Sequence, residues 1–147
     1  MDFQELVANF AERHGVANLV AADNAVALDI DGIALTLVAA GDTLSLSAEI
    51  GEPPVDGRAD FAELLLEASL QSDAFFAKEP EGGVYLLVRR LALPALDNET
   101  FDAALEALVN QAETWRRLLA DFRPVAKAAS ERTEEFSQFG ATGFVQV

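Results

Sequence analysis

The stretch from Ala25 to Ile50 constrains the chain more than any other. It reads AVALDI, DG, IALTLV, AAGD, TLSLSAEI, three short strands with their turns in place. Apolar residues alternate with small or polar ones, the period-2 signature of a half-buried sheet. Asp31-Gly32 is a strong hairpin signal, because a tight two-residue loop of the primed type needs positive φ at both central positions. With that loop, Ile30 faces Ile33, Leu28 faces Leu35 and Val26 faces Leu37. A four-residue loop from Ala39 to Asp42 then sets Leu37 opposite Leu44, Leu35 opposite Leu46 and Ile33 opposite Ala48. Both turns agree on one apolar face, and a one-residue slip in either pairing would break that agreement. The other face carries Ala25, Ala27, Asp29, Ala34, Thr36, Ser45, Ser47 and Glu49. It is a floor of small side chains with carboxylates at its margins.

The charge balance narrows the function. The chain has 147 residues, enough for one good core, with 25 acidic against 10 basic side chains and a net charge of −15. Phosphate backbones demand positive charge, so nucleic acid is excluded as a partner, and anionic membranes are excluded by the same argument. A basic or neutral protein partner is permitted. The absence of cysteine removes disulfides, thiolate nucleophiles and zinc–sulfur sites. The opening MDFQELVANF has neither the basic nor the apolar region of a signal peptide, and no apolar run is long enough for a membrane span. A soluble intracellular protein is expected.

No phosphate-binding glycine loop, HExxH, GxSxG, EF-hand loop or CxxC occurs. Carboxylates are so numerous that chance pairs are certain. Asp29, Asp31 and Glu49 fall near the sheet margin without the tight spacing that a cation site requires. The reading is therefore no catalytic residue, no cofactor, no metal and no enzyme.

Taken in order, residues 2–14 read as a helix with Phe3, Leu6, Val7 and Phe10 in one stripe, acids at its start, Arg13 and His14 in its last turn and Gly15 as its stop. His14, the one histidine, is read as structural. Residues 16–24 connect to the sheet, and GEPPVDGRAD leaves it. Asp60, with Glu63 three residues on, is expected to cap a second helix. Phe61, Leu64, Leu65 and Ala68 form its inner stripe, and Leu66 and Leu70 widen the arc. An arc that broad needs more than one neighbour, which hints at another subunit.

Phe75-Phe76-Ala77 and VYLLVRRLAL form a second strand pair around a Lys78–Gly83 turn. Val84, Leu86 and Val88 lie on one face, with Tyr85, Leu87, Leu91 and Leu93 on the other, as in a covered strand or an interface. Arg89 and Arg90 are expected to pair with carboxylates. After Pro94, Asn98 or Thr100 is expected to cap the longest helix, whose stripe is Phe101, Leu105, Leu108, Ala112, Trp115, Leu119 and Phe122. This helix is expected to lie across the sheet. From Pro124 the register is lost, and the final GFVQV is a candidate edge strand or groove ligand. The fold class is α+β, an antiparallel twisted sheet of about five strands with helices packed on it in the order α-β-β-β-α-β-β-α. Residues 1–123 make one domain, and 124–147 make a tail with no assigned role.

This order of elements, with FAELLLEASLQS, GGVYLLVRRLAL and FDAALEALVNQAETWRRLL, resembles the class I chaperones of bacterial type III secretion, the CesT-like or Tir-chaperone family, over residues 2–122. The resemblance implies a cytoplasmic bacterial homodimer without cofactors, holding the extended N-terminal segment of a secreted effector. It implies a dimer interface drawn from Phe61, Leu64, Leu65, Leu70, Leu87 and Leu91. A client surface would draw on Phe3, Phe10, Val26, Leu28, Leu35 and Leu46. Physically, a free sheet edge accepts an extended peptide by strand addition. Two other readings stand beside it: an acidic peptide-binding adaptor or regulatory domain unrelated to secretion, and a small hydrolase, which requires a closed pocket with two convergent carboxylates.

Overall fold

The computed structural model describes residues 2–16, 19–81 and 83–123. The tail 124–147, with its GFVQV strand expectation, lies outside the described residues. Helix α1 (Phe3–His14) precedes strands β1 (Val20–Ala21), β2 (Ala25–Ile30), β3 (Ile33–Ala40) and β4 (Thr43–Gly51). Helix α2 (Arg58–Leu70), strands β5 (Phe75–Lys78) and β6 (Tyr85–Ala92) and helix α3 (Asn98–Asp121) follow. The strands form one antiparallel sheet in the order β1-β2-β3-β4-β6-β5.

The expected α+β order holds, with one strand more than expected. That strand, β1, falls in the segment read as a connector. It pairs Val20 with Ala27 and Ala21 with Val26, and two residues are too few to show an alternation. The first hairpin has the expected register, Ile30 with Ile33, Leu28 with Leu35 and Val26 with Leu37. Asp31 and Gly32 take φ of 53° and 80°, and the Gly32 amide donates to Asp29 Oδ1 at 3.0 Å.

The second hairpin is tighter than expected. Ala40 pairs with Thr43, which leaves only Gly41-Asp42 in the turn, and Leu37 faces Leu46 while Leu35 faces Ala48. The register is thus displaced by two residues from the expectation. Gly41, at φ 58°, supplies the left-handed conformation that lets the ladder run on to Ala40. A two-residue slip preserves side-chain parity, so the expected apolar face survives the change.

Helix starts follow local hydrogen bonding. At α1 the Asp2 side chain accepts from the Glu5 amide, the Glu5 side chain accepts from the Asp2 amide, and Gly15 at φ 64° closes the helix. The α2 expectation is corrected. The helix begins at Arg58 behind Gly57, whose φ is 75°, and no side chain caps it, so Asp60 lies in the first turn instead. Asp97, rather than Asn98 or Thr100, caps α3, accepting from the Thr100 amide at 2.7 Å.

One face of the sheet holds the core. Leu28, Ile33, Leu35, Leu37, Leu44, Leu46 and Ile50 are buried against Phe3, Leu6 and Phe10 of α1 and Phe101, Leu105, Leu108 and Ala112 of α3. Helix α3 lies across β4, β6 and β3 and touches α1, while α2 sits by β5. Phe61 of α2 joins Tyr85, Trp115 and Phe122 in an aromatic cluster with ring centroids 5.8, 6.2 and 5.1 Å away. Phe76 meets Trp115 at 4.9 Å. The opposite sheet face keeps Ala27, Asp29, Ala34, Thr36 and Glu49 exposed.

Strand β6 is apolar on both faces as expected. Tyr85 and Leu87 enter the core, whereas Val88, flanked by Phe75 and Ser47, is buried on the reverse face. The arginine expectation is corrected. Arg89 and Arg90 form no ion pair among the described residues. Arg90 lies over the Phe75 ring at 5.2 Å instead, because the strand directs it toward an aromatic neighbour.

Candidate functional site

Helix α2 is unsaturated by its own chain. Phe61 and Leu65 are 1% and 4% exposed, whereas Leu64, Leu66 and Leu70 are 45%, 70% and 89% exposed. Val55, just before the helix, is 97% exposed. A helix apolar around most of its circumference has more than one packing face. Here only one face is used.

The expected dimer residues therefore separate into two sets. Leu64 and Leu70 are on the open face, and Leu91 is half-buried opposite Leu44. Phe61, Leu65 and Leu87 belong to the protomer's core, where packing inside one chain has already removed them from water. Leu66 stands on the open face and was absent from the expected interface set. Its signal was the wide arc itself: Leu66 and Leu70, beyond the inner stripe, are left uncovered, as is Leu64 within it.

The expected client residues Phe3, Phe10, Val26, Leu28, Leu35 and Leu46 are all 6% exposed or less. Val26, Leu28, Leu35 and Leu46 line the sheet face that α1 and α3 cover, Phe3 and Phe10 pack onto it from α1, and all six side chains are core in this conformation. The same elements leave two depressions. One, of about 390 Å³, runs between Gln4, Val7 and Ala11 of α1 and Ala21, Asp23 and Val26 near the β1 edge. The other, of about 820 Å³, opens between the C-terminal end of α1, the β2–β3 turn and α3. Strand β1 has no neighbour on its outer side among the described residues.

Charge at the larger opening is organised around Asp102. Arg13 donates to its two oxygens at 2.5 and 3.2 Å, and His14 Nε2 lies 3.1 Å away. Partial burial pushes the Asp102 carboxyl up, but the bonds from Arg13 and His14 outweigh it and hold the group below the usual carboxylate range. His14 also packs on Phe10, with ring centroids 4.6 Å apart. The Asp102 contact ties α1 to α3, in keeping with the structural role read from the sequence. Among the described residues no cluster of side chains could hold a metal ion. No described helix is long and apolar enough to cross a membrane.

Solved structures with the same fold are numerous. The complex of ExsC with ExsE contains a chain 26% identical to this one, covering 86% of it and 99% of the other, at TM-score 0.69. The SycH secretion chaperone of Yersinia pestis, solved with a fragment of YscM2, is 19% identical over 78% of this chain and 99% of its own, at TM-score 0.61. YbjN of E. coli, whose proposed role is transcription regulation, is 16% identical over 81% and 93%, at TM-score 0.61. Below 25% identity the likeness speaks for the fold. No curated protein matches the sequence. The Tir chaperone protein (CesT) family model matches residues 5–116, which spans α1 to most of α3. The chain belongs to the CesT family of Tir chaperone proteins.

Proposed function

We propose that the protein is a cytoplasmic type III secretion chaperone that works as a homodimer and holds a segment of a secreted effector in extended form. The observation that carries the chaperone reading is the family match over residues 5–116, and it is supported by fold likeness to a chain solved as a complex. The dimer is supported by the open face of α2, where Leu64, Leu66 and Leu70 are exposed. Joining two such faces removes apolar surface from water at roughly 25 cal/mol per Å². A stable interface needs on the order of 1,200–2,000 Å² in total, so neighbouring surface around α2 would have to join the leucines.

Holding an extended chain needs no catalytic group. Backbone hydrogen bonds at a strand edge supply affinity, and alternate side chains enter depressions beside it. The outer side of β1 and the hollow between α1 and that edge offer this combination. The charge of −15 keeps such an assembly soluble and favours clients that are not themselves acidic.

Co-expression with a secreted protein encoded in the same genome tests the reading. The expected result is a stable complex with two copies of this chain, in which limited proteolysis protects one continuous segment of the client that is unfolded when alone. A complex formed only with a folded client domain, or none with any secreted protein of that genome, would contradict it.

A further inference from the structure

We infer that Ser69 is a positioning residue for self-association: its hydroxyl pins the C-terminal half of α2 to the sheet and so fixes the face that carries Leu66 and Leu70. The inference rests on the dimer reading for its purpose and on local geometry for its mechanism. Helix α2 is anchored unevenly. Its buried residues are Phe61 and Leu65. From Leu66 to Leu70 no side chain is buried, and Leu66 and Leu70 are the most exposed leucines of the helix. The last turn therefore has no apolar anchor of its own, although it carries much of the surface that a second copy would cover.

Ser69 supplies a polar anchor instead. Its Oγ accepts from the Phe76 amide at 3.2 Å and donates to the Leu65 carbonyl at 2.9 Å. Strand β5 is an edge of the sheet, and alternate amides of an edge strand point away from its neighbour. The Phe76 amide is one of these, and the helix meets it where a further strand would. Phe76 is itself held, because its ring lies against Trp115 of α3 with centroids 4.9 Å apart. The link 71–74 between helix and strand is braced by the Ser72 hydroxyl, which accepts from the Ala74 amide at 3.1 Å. Among the described residues no other hydrogen bond or ion pair joins a side chain of α2 to a strand. A helix end ordered before association incurs no ordering cost at the moment of binding, so this one hydroxyl bears on the strength of the dimer without lying among its leucines.

Sedimentation velocity over a dilution series of the full chain gives the dimer dissociation constant, and hydrogen exchange read by NMR follows the Phe76 amide. Ser69→Ala should raise the dissociation constant about fivefold or more, the worth of one hydrogen bond. It should also speed exchange at the Phe76 amide while the cooperative unfolding transition is retained. Ser69→Thr keeps a hydroxyl that can bond the carbonyl one turn back and should restore both values. Helix propensity alone gives the reverse order, because alanine favours a helix more than serine or threonine does. Ile33→Val is the control for a merely structural effect: it trims a buried position of the first hairpin, lowers protomer stability and should leave the dissociation constant unchanged. A constant unaffected by Ser69→Ala overturns the assignment, as does one raised equally by Ser69→Thr or by Ile33→Val. Exchange at Phe76 that is the same with and without the hydroxyl also overturns it. A wild type that is monomeric at micromolar concentration removes the dimer reading and this role with it, whereas a dimer indifferent to Ser69 removes the role alone.

Discussion

Helices α2 and α3 are both rich in leucine and alanine, yet the fold uses them differently. The α3 stripe is spent inside the protomer: Phe101, Leu105, Leu108 and Ala112 are each 1% exposed or less. On α2 only Phe61 and Leu65 are buried, and three leucines face outward. The difference lies in angular distribution. Apolar residues at alternating spacings of three and four gather on one face, which a single sheet can cover. The run FAELLLEASL spreads its leucines around the axis, and one sheet edge cannot cover them all. A saturated helix closes a fold, and an unsaturated one leaves apolar surface in water.

Substitutions on the two kinds of surface should behave differently, and the largest effect belongs to the core. Leu87→Asp buries a carboxylate without a partner beside α3's contacts with β6, so it should abolish folding, read as loss of the cooperative denaturation transition. A folded Leu87→Asp protein would show that this position is not core. Phe101→Ala comes next, at about 3–5 kcal/mol from lost burial plus the cavity left behind, measured by urea denaturation. Leu66→Asp with Leu70→Asp should change the stability of the isolated protomer by only about 0.5 kcal/mol, as exposed positions do, while removing the dimer. If this pair instead unfolds the protomer as Phe101→Ala does, the contrast between the helices fails.

The smallest effect concerns the tie between α1 and α3. Asp102 has its pKa lowered in the folded state. Its contribution is therefore fully present above the unfolded carboxylate value of about 4 and is lost as pH falls through the lower folded value. Asp102→Asn should cost at most about 1 kcal/mol at pH 7, since the pair with Arg13 is partly exposed. The stability gap between wild type and variant should close as the solution is acidified below pH 4, followed by denaturant titrations at each pH. A gap that persists unchanged would mean that the carboxylate's charge is not what joins the helices.

Much of the sheet was legible from local chemistry. The Asp31-Gly32 turn and the alternation on either side specified the first hairpin down to its paired residues, because turn conformation and side-chain parity constrain the same register. The second hairpin was legible only as to face. AAGD accommodates a two- or a four-residue loop, and parity does not distinguish registers two residues apart. Strand β1 was too short to leave a pattern. The α2 start was obscured because Gly57 sets the direction through its backbone rather than through a capping side chain.

The binding surfaces were the least legible part. Periodicity assigns Val26, Leu28, Leu35 and Leu46 to one face, but it carries no information on whether the chain's own helices cover that face. Leu64 and Leu65 show the same limit at single-residue scale. They are adjacent and chemically identical, and only the packing of α2 against its own chain separates the open one from the buried one.

The account stands most directly on the role of the α2 leucines, and light scattering after size-exclusion chromatography at micromolar concentration measures it. The wild-type chain should run at twice the protomer mass, and the Leu66→Asp/Leu70→Asp variant at the protomer mass with its cooperative unfolding transition intact. A monomeric wild type, or a variant that remains a dimer, would contradict the account.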